Sequence, residues 1–166
     1  RTGEKGHKFG IPYDEVREVA RIARSLPNVV LRGLDMHVGS QLSRLDAYRD
    51  GIDRVLQLLG ELRADGARDL RYLDIGGGLA VTYDAEEPTD LERFAEIVVP
   101  AVRSTGLQLI VEPGRFMVGN AGVLISRVLY RKRSGGKELL VVDAGMTDLL
   151  RPSHYNAYHR IEAVEA

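Results

Sequence analysis

Three short stretches of this chain combine residue types suited to holding a ligand: "HVGSQ" at 37–41, "GGGL" at 76–79 and "EPGR" at 112–115. The Gly76–Gly78 triplet has no Cβ atoms, so its backbone N–H groups can approach a phosphate closely. Ser40 could donate its hydroxyl to the same anion, and His37 could lay its imidazole on a planar ligand. Glu112 and Arg115 set opposite charges at the mouth of an apolar strand, on a rigid Pro113-Gly114 corner. Taken singly, each has an ordinary alternative. The glycines make a flexible turn, Ser40 a cap or turn residue, His37 a hydrogen-bonded core residue, and Glu112 with Arg115 a surface ion pair worth little. Their joint placement is the stronger signal.

That placement follows from the elements around them. Val16, Val19, Ala20, Ala23 and Leu26 recur at helical spacing over 14–26, between Pro12 and Pro27. A strand-like run over 29–38 ends in His37. A second helix is expected over 45–64, with Ile52, Val55, Leu56, Leu59 and Leu62 on one stripe and Gly66 just past its end. A strand over 70–75 is stopped by the glycine triplet. A third helix over 91–104 has Thr89 or Asp90 as N-cap. Leu107 to Val111 reads as a third, buried strand ending at "EPGR". Alternation of strand and amphipathic helix implies a parallel sheet covered by helices. Ligands of such folds bind at the carboxyl ends of the strands, where all three stretches fall. After Phe116 the pattern changes. Residues 121–130 and 138–142 are β-rich around the turn-like "KRSGGK", an antiparallel hairpin of another domain.

The bulk properties exclude several classes. With 166 residues the chain suits one domain, or a large piece of a bigger one. A net charge of -1 gives no electrostatic case for nucleic acid or an anionic membrane. No stretch is long and apolar enough for a membrane span. The absence of Cys excludes disulfides and thiolate metal sites, in keeping with a reducing cytosol. No convincing metal-ligand cluster stands out, since His154 and His159 lie in a loop-like stretch beside residues that suit substrate contact better. The chain begins at Arg1, which suggests an excised piece.

The segments "KFGI" (8–11), "HVGSQ", "LDIGGGLA", "EPGRFMV" and "VVDAGMTDLLRPSHYNAYH" occur in the order seen in the diaminopimelate decarboxylases. These belong to the fold-type III pyridoxal-phosphate decarboxylases, whose barrel is alanine-racemase-like. The resemblance covers nearly the whole chain, and "DAGMTDLLRPSHY" (143–155) is its most specific part. It implies an α/β fold: the second half of a TIM (β/α)8 barrel over 1–116, then the first strands of a C-terminal β-domain over 117–166. It further implies that pyridoxal 5'-phosphate is the cofactor, with His37 against the pyridine ring and Ser40 with Gly76, Gly77 and Gly78 on the phosphate. Glu112 would sit at the pyridine nitrogen, while Pro113, Gly114 and Arg115 complete the cradle. Arg115, Arg151 and Tyr155 would bind substrate carboxylate groups, a task that suits the planar fork of Arg. Ala80 and Thr147 depart from the family's usual Gly and Asn.

The family's Schiff-base lysine is not matched by Lys5, Lys8, Lys132 or Lys137, and its Cys-Glu-Ser segment is absent. The expectation is an internal fragment, inactive by itself and prone to aggregate through exposed strand edges. Its parent would be a cytoplasmic homodimer that converts meso-diaminopimelate to L-lysine and CO2. A related decarboxylase of ornithine, arginine or carboxynorspermidine, or a non-catalytic binder of phosphate ligands, are the alternatives.

Overall fold

The helices form where apolar residues recur at helical spacing, and they end where the next residue cannot continue them. The computed structural model describes residues 8–164, so Lys5 lies outside the described residues. Helix α1 spans Val16–Ser25 and stops at Leu26, which the following Pro27 holds extended (φ -83°, ψ 137°). Helix α2 spans Asp46–Ala64 and α3 spans Leu91–Thr105. Asp90, rather than Thr89, is the N-cap of α3: its Oδ1 accepts from the Arg93 amide at 2.8 Å. Thr89 instead donates its hydroxyl to the Ala80 carbonyl at 2.9 Å.

Strands β1 (Gly33–Asp35), β2 (Tyr72–Asp74) and β3 (Gln108–Ile110) alternate with these helices and pair in parallel in the order β1-β2-β3. The architecture is α/β. The expected strands were longer than the ladders observed. Val29 and Val30 lie before the pairing starts and are exposed. Leu73 and Ile75 are completely buried among Ile52, Val98 and Val102 of α2 and α3, which makes this side of the sheet the core. Residues of opposite parity, Asp35, Tyr72, Asp74, Gln108 and Ile110, face the other way. Tyr72 and Ile110 on that side are each 39% exposed.

One burial expectation needs correction. Leu109, Ile110 and Val111 are 38–43% exposed, not buried. Among the described residues nothing pairs with the outer edge of β3, so its side chains lack the neighbours that their apolarity anticipates. On α1, Ala20 is buried but Val19 is exposed, as is Leu26 just past its end, because α2 covers only one flank of the apolar stripe.

Contacts divide the chain into two units, one of residues up to 81 with 87–119, the other of 82–86 with 120 onward. The second unit holds an antiparallel hairpin, β4 (Val128–Ser134) and β5 (Lys137–Val142). Gly135 and Gly136 form its two-residue turn with φ of 56° and 76°, the left-handed pair that matches the twist of the flanking strands. The stretch 121–127, expected to be β, joins no strand, and Val123 and Ile125 are largely exposed. Two five-residue helices, α4 (Gly114–Val118) in the first unit and α5 (Arg151–Tyr155) in the second, complete the elements.

Candidate functional site

The chain leaving β1, β2 and β3 carries "HVGSQ", "GGGL" and "EPGR" respectively, and backbone bonds continue the ladder beyond the strands. The Met36 amide donates to Asp74 O at 3.0 Å, Ile75 to Ile110 O at 3.2 Å, Glu112 to Gly76 O at 2.9 Å and Leu42 to Gly78 O at 2.8 Å. The glycine triplet is where the three ends meet. A Cβ on Gly76 would collide with the Met36 carbonyl oxygen and crowd His37. One on Gly77 would collide with the Glu112 carbonyl oxygen, and one on Gly78 with that of Gly39. Gly76 and Gly78 also hold φ of 71° and 103°, where side chains are strained. A triplet without side chains is what lets these segments close on one another.

Two of the triplet's amides are already engaged. Gly76 N–H donates to Asp74 Oδ1 at 2.9 Å, and Gly77 N–H donates to His37 Nδ1 at 3.3 Å. With Nδ1 accepting, the proton of neutral His37 sits on Nε2. Among the described residues the Gly78 amide has no acceptor. Below the loop, the Tyr48 hydroxyl donates to Gly77 O at 2.7 Å. Its ring is fully buried, edge-on to Phe94 at 5.1 Å, and burial pushes the phenol up to about 12. Gln41 clamps the first stretch to the second: its amide donates to Val81 O at 2.6 Å, and its Oε1 accepts from Val81 N at 3.2 Å. The same oxygen accepts from Arg115 Nη1 at 3.4 Å.

Asp35, Asp74 and Glu112 bring one carboxylate oxygen each within 4.8 Å of the others. Strand register explains the cluster. Asp35 pairs with Asp74, Asp74 with Ile110, and Glu112 follows Ile110 by two residues on the same face. Burial raises the Asp35 carboxyl above its ordinary value, and the neighbouring Asp74 adds to this while His37 opposes it. Glu112 therefore faces carboxylates, and Arg115 faces Gln41; among the described residues no ion pair joins Glu112 to Arg115.

The structure thus brings together His37, the triplet, Glu112 and, through Gln41, Arg115. His37, Ser40, Glu112, Gly114 and Arg115 are exposed, Pro113 is half-buried, and Gly76 and Gly77 are buried. Sequence reasoning missed Asp35, Asp74 and Tyr48. The two aspartates had a readable signal, since each stands two residues before its ligand-type stretch. In the second unit, Arg151 and Tyr155 lie four residues apart on α5, one turn along the same side. Arg151 donates to the Tyr83 hydroxyl at 3.1 Å and stacks over its ring at 5.6 Å, while Tyr155 is 72% exposed.

A cleft of about 640 Å³ between α1 and α2 is lined by Arg17, Arg21, Arg24 and Asp65. Its cations are already paired, Arg17 with Asp65, Arg21 with Glu18, and Arg24 with the Asp65 and Gly66 carbonyls. It has little left to offer a ligand.

Residues 1–119 match the family model described as the pyridoxal binding domain of pyridoxal-dependent decarboxylases. The chain is 44% identical over 164 residues to the diaminopimelate decarboxylase of Neisseria meningitidis (serogroup A), covering 99% of this chain and 40% of that protein. It is 39% identical over 165 residues to the Haemophilus influenzae protein of the same name, again covering 99% of this chain and 40% of the relative. The crystal structure of Helicobacter pylori diaminopimelate decarboxylase complexed with L-lysine superposes with a TM-score of 0.91 at 37% identity, over 98% of this chain and 41% of that one. The chain spans about 40% of the length of the curated relatives it matches.

Proposed function

Since the chain belongs to the pyridoxal-dependent decarboxylases, we propose that the protein carrying it removes CO2 from meso-diaminopimelate to give L-lysine, using pyridoxal 5'-phosphate. The observation that carries this reading is the convergence of His37, the glycine triplet and Glu112 at three adjacent strand ends. The parallel β1-β2-β3 order, with helices on one face and the other face open, supports its reading as the second half of a (β/α)8 barrel. The relatives named above support the substrate. The same reading makes the protein a cytoplasmic homodimer.

The residues present fit the cofactor. Three clustered carboxylates suit a protonated ring nitrogen, because nearby negative charge favours the charged form of a base. The loop at Gly78 offers an amide with no acceptor among the described residues and no side chain to block an anion. When bound, pyridoxal phosphate supplies an electron sink for the charge left at Cα once CO2 departs. The chain's own residues then do the following work. Glu112 would hold the proton at the ring nitrogen, with Asp74 and Asp35 adding to its field. His37, whose Nδ1 is tied to the Gly77 amide, would be the residue against the ring. Ser40, Gly78 and the Gly114 corner would hold the phosphate. In the first unit Arg115 would be the residue for a substrate carboxylate; in the second, Arg151 and Tyr155 are separate candidates for substrate groups.

The test is turnover by the full-length gene product carrying this chain, supplied with pyridoxal 5'-phosphate. L-lysine and CO2 should form from meso-diaminopimelate, with ornithine, arginine and carboxynorspermidine poor substrates. Turnover of one of those three in preference would replace the substrate assignment. Cofactor binding with no turnover of any of them would leave a phosphate-ligand binder.

A further inference from the structure

Tyr48 takes no part in the roles assigned above, yet it is completely buried and its hydroxyl is bonded to the glycine loop. It lies in the first turn of α2, completely buried and wedged against Phe94 near the start of α3. Its hydroxyl donates to the Gly77 carbonyl at 2.7 Å. A tyrosine among the apolar residues of α2 has no packing need for that oxygen. Burying a hydroxyl is unfavourable unless it is bonded, and a phenylalanine would fill the same space without one.

What the hydroxyl fixes is a peptide plane. In a trans peptide the carbonyl of one residue and the N–H of the next point in opposite directions. Anchoring Gly77 C=O toward Tyr48, on the buried side, therefore turns Gly78 N–H away from the core. The other two amides of the triplet are held by Asp74 and His37, and among the described residues Gly78 N–H has no acceptor. Glycine at 77 and 78 has the widest choice of backbone conformation, so this plane is the one most in need of an external anchor.

We propose that Tyr48 is a positioning residue, whose buried hydroxyl locks the Gly77–Gly78 peptide so that the Gly78 amide is presented to the phosphate of the cofactor. The inference rests on the pyridoxal-phosphate reading above and adds the residue that aims the loop. It acts on the phosphate and not on the ring, so the two ends of the cofactor separate it from a general packing role.

The experiment compares pyridoxal 5'-phosphate with unphosphorylated pyridoxal on the full-length gene product, by equilibrium titration of their absorbance. Tyr48→Phe should weaken the phosphate form by roughly three- to tenfold, the usual worth of one hydrogen bond, and leave pyridoxal affinity unchanged. Phe94→Leu, which loosens the same packing but keeps the hydroxyl, should lower thermal stability and leave the ratio of the two affinities as in wild type. Equal weakening of both ligands by Tyr48→Phe, no weakening at all, or a matching ratio change in Phe94→Leu would overturn the proposal. Hydrogen exchange on wild type gives a check that needs no variant. The Gly78 amide should exchange faster than those of Gly76 and Gly77 without ligand, and become protected by pyridoxal 5'-phosphate but not by pyridoxal. A Gly78 amide already protected without ligand also overturns it. Wild type that binds neither ligand is a different failure, which removes the cofactor reading itself and this inference with it.

Discussion

Gly77 and Glu112 sit so close that no side chain fits between them: a Cβ on Gly77 would collide with the Glu112 carbonyl oxygen. The contact joins the ends of β2 and β3 and sets how near the carboxylate cluster lies to the glycine loop. Because φ of Gly77 is not in the left-handed region, the demand for glycine there is one of space.

Gly77→Ala should therefore destabilise the protein by about 1–3 kcal/mol through overpacking against backbone that cannot yield. Gly60→Ala is the contrast. Gly60 lies inside α2 with open space around it, and the change should stabilise by about 0.5–1 kcal/mol through helix propensity. Denaturant unfolding of both variants checks the pair, and a neutral Gly77→Ala would contradict the close contact.

Asp90 caps α3 with one side-chain bond to the Arg93 amide. Asp90→Ala should lower stability by about 1 kcal/mol, while Asp90→Asn keeps an acceptor and should change it little. Similar losses in the two variants would show that charge at the helix end matters more than the bond.

Asp35 carries a pH signature. Burial first, and Asp74 second, raise its carboxyl above the ordinary value, so the folded state binds this proton more tightly than the unfolded chain. The associated stability is present below the unfolded pKa and is lost as pH rises through the raised folded one. Asp35→Asn cannot ionise and escapes that loss. Its melting temperature relative to wild type should rise as pH moves from the acid side of the aspartate range toward neutrality. A difference that stays constant across pH would refute the coupling.

Glu112→Gln should leave cofactor binding largely intact and lower kcat by at least roughly tenfold, because a neutral amide does not hold the ring nitrogen protonated. Steady-state kinetics beside cofactor titration will separate the two effects. A variant with normal kcat would move that role to Asp35 or Asp74, which share the cluster.

The parts of this fold legible in the sequence are those specified by local chemistry. Helix α2 follows from Ile52, Leu59 and Leu62, the α3 start from Asp90, and the hairpin turn from Gly135-Gly136, each within a few residues of its cause. The ligand-type stretches were legible because they interrupt apolar runs. Asp35 and Asp74 were harder, since their significance depends on the register that sets them side by side. Tyr48 reads from sequence as one more apolar member of a helix stripe, and only its bond to Gly77 O sets it apart. Leu109 to Val111 misled for the opposite reason: their apolarity anticipates neighbours that the described residues do not supply. Helices α4 and α5, at five residues each, are too short to carry any periodicity.

The burial of Tyr48 also has a spectroscopic consequence. This stretch of chain contains no Trp and 7 Tyr, and among the described residues Tyr48 alone of the tyrosines is buried. A phenol fixed against Phe94 in an asymmetric, buried setting is a source of near-ultraviolet circular dichroism from this region, beside the half-buried Tyr83 held by Arg151, whereas freely rotating surface phenols average toward none. The ring that anchors the glycine loop is thus its own optical label, and a change in loop geometry can be followed there without attaching a dye.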